Sequence, residues 1–323
     1  MASSQPLISA VKSAVIRVAS VTNAKRFFTD VVGLQPVGET TKLADKARRL
    51  WGLPEREILC VRLARPGESF GMVDLVEIPG ATAVTIRDRN RPLDFGWFTL
   101  NFRTSDIERA VAASEAIGAR ALNTPQSYEA GGQAIREVLI ELPSGERCTL
   151  LEVGGAKPEA PLFAESIATA GTIVPSLDQA LAFYRDALGM PVAVSIDQQG
   201  EPFAGMMGAP SATRLQMALL TSGTWTGKLE FLELGLPAGY DQQDSTPNAD
   251  GLRLGYWMMS VMTPDMDVLQ AACRHASVPI IRGPATIDRP CFGRVKAMII
   301  RGPGGELLEC LAPASGVAPG RRS

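Results

Sequence analysis

The chain contains a copy of itself, and that constrains its fold more than any other feature. Residues 13–34 read SAVIRVASVTNAKRFFTDVVGL and residues 169–190 read TAGTIVPSLDQALAFYRDALGM, so that Ser20 stands over Ser176, Phe27-Phe28 over Phe183-Tyr184 and Gly33 over Gly189 at a constant spacing of 156. The register continues downstream: Trp51-Gly52-Leu53-Pro54 falls on Met207-Gly208-Ala209-Pro210, and Asp74-Leu75-Val76-Glu77 on Glu230-Phe231-Leu232-Glu233. Within each half a second motif recurs, Gly96–Asp106 (GWFTLNFRTSD) against Gly255–Asp265 (GYWMMSVMTPD), and each half closes on a Gly-containing turn and a strand, PSGERCTLLEV and PGGELLECL. A repeated period signals a repeated supersecondary unit, so the chain reads as four related units, two per half.

In each copy of the opening motif an apolar strand ends at Val18 or Val174, and Ser20 or Ser176 offers a helix N-cap. Apolar residues then recur at helical spacing (Ala24, Phe27, Phe28, Val31, Val32) until Gly33 stops the helix. From Thr40 to Leu53 an additional short helix with a basic outer face is expected, Pro54 following its end; its counterpart Ile196–Pro210 carries Gly200 and Pro202 and should be looser. Both inserts are placed as lids. Alternating runs predict strands at Glu57–Leu63, Phe70–Ile78, Gly96–Arg103, Ile135–Glu141, Cys148–Val153, Thr213–Thr221, Lys228–Leu234, Gly255–Met262, Arg294–Ile300 and Glu306–Leu311. Residues 1–10 read as a frayed arm, and His275, the single histidine, falls at a helix C-terminus.

Composition matters here for what it excludes. In 323 residues, 46% apolar, there is material for two cores, while a net charge of −2 with interspersed signs leaves no electrostatic footprint for nucleic acid and no polybasic run for a membrane surface. No stretch approaches the roughly 20 apolar residues that span a bilayer, and the start lacks a signal-peptide pattern, so a cytoplasmic protein is expected. Five cysteines without close spacing give neither a disulfide framework nor a zinc ribbon.

The doubled strand–helix–aromatic pair–Leu-Gly pattern, with halves that close on a Gly turn and a Leu-Glu strand, resembles the vicinal oxygen chelate superfamily, which includes glyoxalase I, extradiol dioxygenases and bleomycin-resistance proteins. The resemblance implies an α+β fold of four tandem βαβββ modules in two homologous domains, 8–153 and 167–312, joined by a linker at 154–166 and followed by a disordered tail at 313–323. Each domain would form a curved, partly closed sheet with helices outside. It also implies where a metal would be held: by one residue from the first strand of each paired module, here Ser13, Thr99, Thr169 and Met258, and by a carboxylate from the last strand, Glu152 and Glu309, with Asp74 and Glu230 on the corresponding strand of modules one and three. Those first-strand positions hold no His, Gln or Glu, and hydroxyls or a thioether are poor ligands for a metal of the imidazole–carboxylate class. Neither a metal nor another cofactor is therefore expected.

Without a metal, Glu309 and Glu152 become candidate proton-transfer bases, since burial in an apolar cup raises a carboxyl pKa toward the useful range. Tyr256 is a candidate acid or hydrogen-bond donor, and Arg253 a candidate clamp for an anionic group. Trp257, Met258, Trp97, Trp51 and Met207, with Thr169, Thr99 and Glu230, are candidates for lining a site for a flat or apolar molecule. The aromatic and methionine set Tyr256–Met259 favours the second half. The expected function is a metal-independent isomerase or lyase acting on an apolar or aromatic carbonyl compound. A non-catalytic sequestering protein of the bleomycin-resistance type is the alternative, and a metal enzyme with all-oxygen ligands a lesser one. The expected partner is a small molecule, with a homodimer possible; which modules pair into a cup is open.

Overall fold

The computed structural model describes residues 5–53, 57–80, 84–88, 90–244 and 253–314. Pro54 and residues 315–323 of the expected tail lie outside them. Module one supplies β1 (Val11–Val18), β2 (Gln35–Thr40), β3 (Leu59–Ala64) and β4 (Met72–Glu77). Module two supplies β5 (Gly96–Thr104), β6 (Arg120–Ala121), β7 (Gln126–Ala130), β8 (Gln133–Glu141) and β9 (Arg147–Val153). Module three contributes β10 (Thr169–Ile173), β11 (Val192–Gln199), β12 (Arg214–Leu220) and β13 (Lys228–Gly235), and module four β14 (Gly255–Met262), β15 (Ile280–Arg289), β16 (Gly293–Arg301) and β17 (Leu307–Pro313).

Two sheets result, each joining one module from each half of the sequence. The order β15-β16-β17-β14-β1-β4-β3-β2 unites modules one and four; β11-β12-β13-β10-β5-β9-β8-β6, with β7 on β8, unites modules two and three. We call their concave faces the outer and the inner cup, after the nesting of the modules in the sequence. At each seam two first strands run antiparallel, with Ser13 opposite Ser260 in one sheet and Thr169 opposite Asn101 in the other. The seams are where the duplication is legible in three dimensions.

The convex faces share one large core with the helices, built on Phe27, Phe28, Phe102, Phe183, Tyr184 and Phe231. The helix that opens module one, α1 (Val21–Arg26), starts at Ser20, whose hydroxyl accepts the Asn23 amide, and continues as a π-helical turn over Phe27–Val31. The corresponding helix of module three runs over Leu177–Leu181 and widens the same way over Ala182–Ala187. A widened turn lets two successive aromatic residues face the core, which the 100° step of a regular helix would separate; Phe27 and Phe28 pack edge to face at 5.3 Å, Phe183 and Tyr184 at 4.9 Å.

A closed set of backbone hydrogen bonds ties the two sheets together and obeys the repeat. Val11 N–H donates to Gly227 O and Gly71 N–H to Val11 O, while Ile167 N–H donates to Gly71 O and Gly227 N–H to Ile167 O, at 2.8–3.2 Å. Gly71 and Gly227 have φ of +73° and +71°, and a Cβ on them would lie 2.8 Å from Ile167 O and 2.7 Å from Val11 O. Both the backbone conformation and the close approach require glycine. Gly227→Ala is therefore expected to lower stability by more than about 1 kcal/mol, read as a lowered urea midpoint at unchanged slope.

Several sequence expectations need correction: each half was expected to form its own sheet, but each sheet takes one module from each half. Residues 5–10 are no frayed arm: Leu7 N–H binds Leu188 O at 2.8 Å, Ser9 N–H binds Met262 O at 2.8 Å, and Ile8 and Ala10 are buried. Strands β2, β6, β7 and β11 were not expected from the sequence, and neither was β15, which carries Gly283 and Pro284. It is an edge strand, where a proline is tolerated, and its pairing with β16 is interrupted by register shifts up to Ala285. Among the described residues no helix is long and apolar enough to cross a membrane.

Candidate active site

In the outer cup the equivalent positions of the two paired modules carry a hydroxyl and a carboxylate each. Ser13 donates to Asp74 Oδ2 at 2.8 Å, and Ser260 donates to Glu309 Oε2 at 2.6 Å. Two arginines fill the space between them. Arg289, from the end of β15, reaches Asp74 Oδ2 at 2.8 Å with Nη1 and Glu309 Oε2 at 2.9 Å with Nη2; Arg62 holds Asp74 through Nε at 2.6 Å and Nη2 at 2.7 Å. The indole N–H of Trp51 occupies Glu309 Oε1 at 2.7 Å, and Trp51 packs edge to face against Trp257 at 5.4 Å. Burial alone would push the Asp74 carboxyl up, but the charges of Arg289 and Arg62 outweigh it and hold the group at about 2. Asp74, Glu309 and Arg289 have no solvent exposure. The outer cup is a closed ion network under an apolar roof that includes Met258, Val15 and Leu311.

The inner cup differs at the positions that close its partner. Met207 stands in the repeat where Trp51 does. Opposite Asp74 on the neighbouring strand is Arg62, whereas opposite Glu230 is Leu219. What remains is a narrow cleft of about 40 Å³, walled by Phe98, Ile196, Phe203, Met206, Met207, Leu215, Met217 and Leu232, with Thr99, Asn101, Tyr128, Glu137, Thr149 and Glu230 as its polar groups. Apolar walls with a few convergent polar groups are the lining pattern of a small-molecule site.

The polar groups are held by the sheet. Asn101 Nδ2 donates to Glu230 Oε2 at 3.0 Å, and Tyr128 OH donates to Glu137 Oε2 at 2.5 Å. A Cβ on Gly171 would lie 2.7 Å from Thr99 Oγ1 and 3.1 Å from Glu230 Oε2, so the missing side chain on β10 is what gives these two groups their room. Over the mouth lies a short helix, Phe203–Met207, pinned by Asn123, which donates to Met206 O at 2.8 Å and accepts the Leu139 amide at 3.0 Å. Burial pushes the Glu137 carboxyl up to about 8; the nearby charge of Glu230 adds to this and the Tyr128 hydrogen bond opposes it. Burial also raises Glu230, against the Asn101 hydrogen bond. Among the described residues neither carboxyl makes an ion pair. The pair can therefore carry one proton between them near neutral pH, which is the condition for an acid and a base in one pocket.

Of the sequence candidates, Thr99, Met207 and Glu230 line this pocket, and Thr169 stands on β10 opposite Asn101, at the same concave face. The others lie elsewhere. Glu309, expected as a free base, is locked by Arg289, Ser260 and Trp51; Trp51, Trp257 and Met258 pack inside the outer cup. Glu152 turns away from both cups and accepts the Ile107 amide at 3.0 Å, at the start of the helix Ile107–Glu115. Its counterparts are Glu77 and Glu233, which accept the Val21 and Leu177 amides at 2.8 and 2.6 Å; the inward position of module two is Thr149. Tyr256 and Trp97 face the joint between the sheets, the phenol donating to Arg147 O at 2.6 Å and the indole to Leu307 O at 3.0 Å. Arg253 precedes β14, outside the strand that lines a cup. Met258 was placed at the ligand position of module four, but the seam register assigns that role to Ser260.

Sequence reasoning missed Arg289, Glu137, Tyr128 and Asn101, while Arg62, a candidate from the sequence for holding a carboxylate, holds that of Asp74. A signal existed for one of those missed: at the spacing of 159 that aligns the second motifs, Asn101 stands under Ser260.

Neither cup fits the imidazole–carboxylate metal site of the resembled family. In the outer cup a guanidinium already lies between the two carboxylates. The inner cup brings two carboxylates and neutral oxygens, and the single group of three acidic side chains found close together among the described residues, Asp106, Glu108 and Glu152, lies outside both cups.

The fold is a doubled cup of paired βαβββ modules. Residues 166–310 match the model of the Glyoxalase/Bleomycin resistance protein/Dioxygenase superfamily. Over nearly its full length the chain has the same fold as glyoxalase I from Zea mays (17% identity, 94% of this chain and 92% of that one, TM-score 0.62) and as a putative dioxygenase from Bacillus subtilis (13% identity, 97% and 87%, TM-score 0.61). No curated protein sequence matches the chain.

Proposed function

We propose that the protein is a small-molecule enzyme whose inner cup takes a partly apolar carbonyl compound and moves a proton at the carbon beside the carbonyl, without a bound metal. Glu230 is the base and Glu137, protonated and held by Tyr128, the acid. One observation carries the reading: two half-buried carboxyls share one pocket, both shifted upward and neither neutralised by a cation. A general base works best when its pKa lies near the working pH, and a pair of carboxyls in one site divides the acid and base roles between them. The apolar wall excludes water from the exchange. The outer cup, in this reading, is scaffold. Five unpaired cysteines support a reducing, cytoplasmic setting.

The test is proton exchange. Carbonyl compounds that raise the melting temperature are incubated with the protein in D2O, and loss of the α-proton signal is followed by NMR. Glu230→Gln is expected to slow exchange by about 10²–10⁴-fold while the ligand-induced melting shift persists. Exchange unchanged in both Glu230→Gln and Glu137→Gln would sink the proposal. Binding without exchange in the unaltered protein would favour sequestration, which the methionine-rich wall supports because such side chains adapt to several shapes.

A further inference from the structure

The two cups pose the same electrostatic problem and answer it differently. In the outer cup two carboxylates at the base of a concave sheet are neutralised by one guanidinium that touches both, Arg289, with Arg62 behind it. In the inner cup Glu230 and Glu137 share a pocket, and among the described residues no arginine, lysine or histidine lines it. Lys228, two residues before Glu230 on β13, lies over the Trp225 ring at 4.3 Å and is not part of the pocket lining.

We infer that the inner cup selects organic cations: its ligand brings a protonated amine or amidine to Glu230 and Glu137, taking the place that Arg289 takes in the outer cup, and lays an apolar body against Phe203, Met206 and Met207. The inference rests on the reading of the inner cup as the ligand site, not on the proton-transfer step.

Three further observations carry it. First, two donors of the site are already used, the Tyr128 hydroxyl on Glu137 and an Asn101 N–H on Glu230. Second, acceptors are in excess: Asn101 Oδ1 is buried without a hydrogen-bond partner, beside two carboxyls. A buried acceptor left unmade costs free energy that a ligand N–H recovers, whereas a carboxylate or phosphate would bring like charge to Glu230 and a further acceptor to Asn101 Oδ1. Third, Tyr128 and Phe203 pack with ring centroids 4.8 Å apart and planes tilted by 58° within the lining, an aromatic wall of the kind that attracts a cation. An inorganic divalent ion shares the charge but not the apolar body, and it would find two carboxylates without a third anionic donor.

The experiment uses three molecules of one shape, 3-phenylpropylamine, 3-phenylpropanol and 3-phenylpropionate, titrated calorimetrically into the full chain at pH 7 in the presence of a chelator. The amine is expected to bind at least about tenfold more tightly than the alcohol and the carboxylate more weakly than either. In Glu230→Gln the amine and alcohol should come within about threefold of each other, the alcohol affinity being kept. Carboxylate binding as tight as the amine, an amine preference that survives Glu230→Gln with Glu137→Gln, binding of none of the three, or binding only on adding a divalent ion in place of the chelator would each overturn the inference. Loss of the amine preference with glutamate-dependent proton exchange intact would leave the proposed reaction standing; the reverse result would leave the selectivity and remove the reaction.

Discussion

Replacing Arg289 by methionine is expected to destabilise the protein by about 3–5 kcal/mol at pH 7, the range for removing one partner of a buried ion network. Arg289 is a single side chain shared by Asp74 and Glu309, and all three are fully buried. Without it Glu309 keeps only the Ser260 and Trp51 hydrogen bonds, and Asp74 keeps Arg62 and Ser13. Arg289→Lys should restore little, because an ammonium on a flexible stem cannot reproduce a planar fork that bonds two carboxylates. Arg62→Met should cost less than Arg289→Met, since Asp74 retains Arg289. Urea denaturation at pH 7 and pH 4.5 distinguishes a charge effect from lost packing. In the Arg289→Met protein the stranded carboxyls take up protons at the lower pH, so the deficit against the unaltered protein should shrink there. A deficit under about 1 kcal/mol at pH 7, or one independent of pH, would contradict the network as described.

The second large effect is the dependence of stability on pH, which should peak in mildly acid solution and fall toward neutrality. Glu306, in the turn before β17, is 1% exposed; burial raises its carboxyl to about 7, with the Tyr184 hydrogen bond at 2.6 Å opposing. A group whose native pKa lies above its unfolded value binds more protons in the native state. Its contribution is complete below pH 4.5 and is lost as pH rises through 7, on the order of 3 kcal/mol for Glu306. Glu137 and Glu230 shift in the same direction, with smaller effects because they are half-buried. Asp74 runs the other way: its native pKa of about 2 lies below the usual 3.8, so its stabilisation is present above pH 4 and is lost as pH falls through 2. Urea midpoints should therefore fall between pH 4.5 and 7, and Glu306→Gln should flatten that fall. A midpoint that rises steadily from pH 4.5 to 7 would refute the assignment.

The inner cup was legible in part. Glu230 was marked by its match to Asp74 in the repeat, and Met207 by its match to Trp51. Glu137 and Tyr128 were invisible because they stand on β8 and β7, strands of module two whose polar alternation looks like that of any half-exposed hairpin. Glu152 misled for a definable reason. The Leu-Glu-Val end of module two aligns with Val76-Glu77-Ile78 and Leu232-Glu233-Leu234, glutamates that receive a helix N-terminus, and only the three-residue offset from Asp74 and Glu230 separates a capping glutamate from an inward one. In a strand of period two, three residues reverse the face.

By itself the sequence determined the module, its fourfold recurrence and the elements within it, because strand alternation, N-caps and glycine stops are local and survive duplication. It also determined that neither seam carries an imidazole. The tertiary structure decided which modules share a sheet, one with four and two with three. That pairing seats Arg289, more than two hundred residues from Asp74 in the chain, between two carboxylates in one cup, and leaves Glu230 and Glu137 without such a partner in the other. Charge neutralisation depends on distance in space, and no periodicity along the chain reports it.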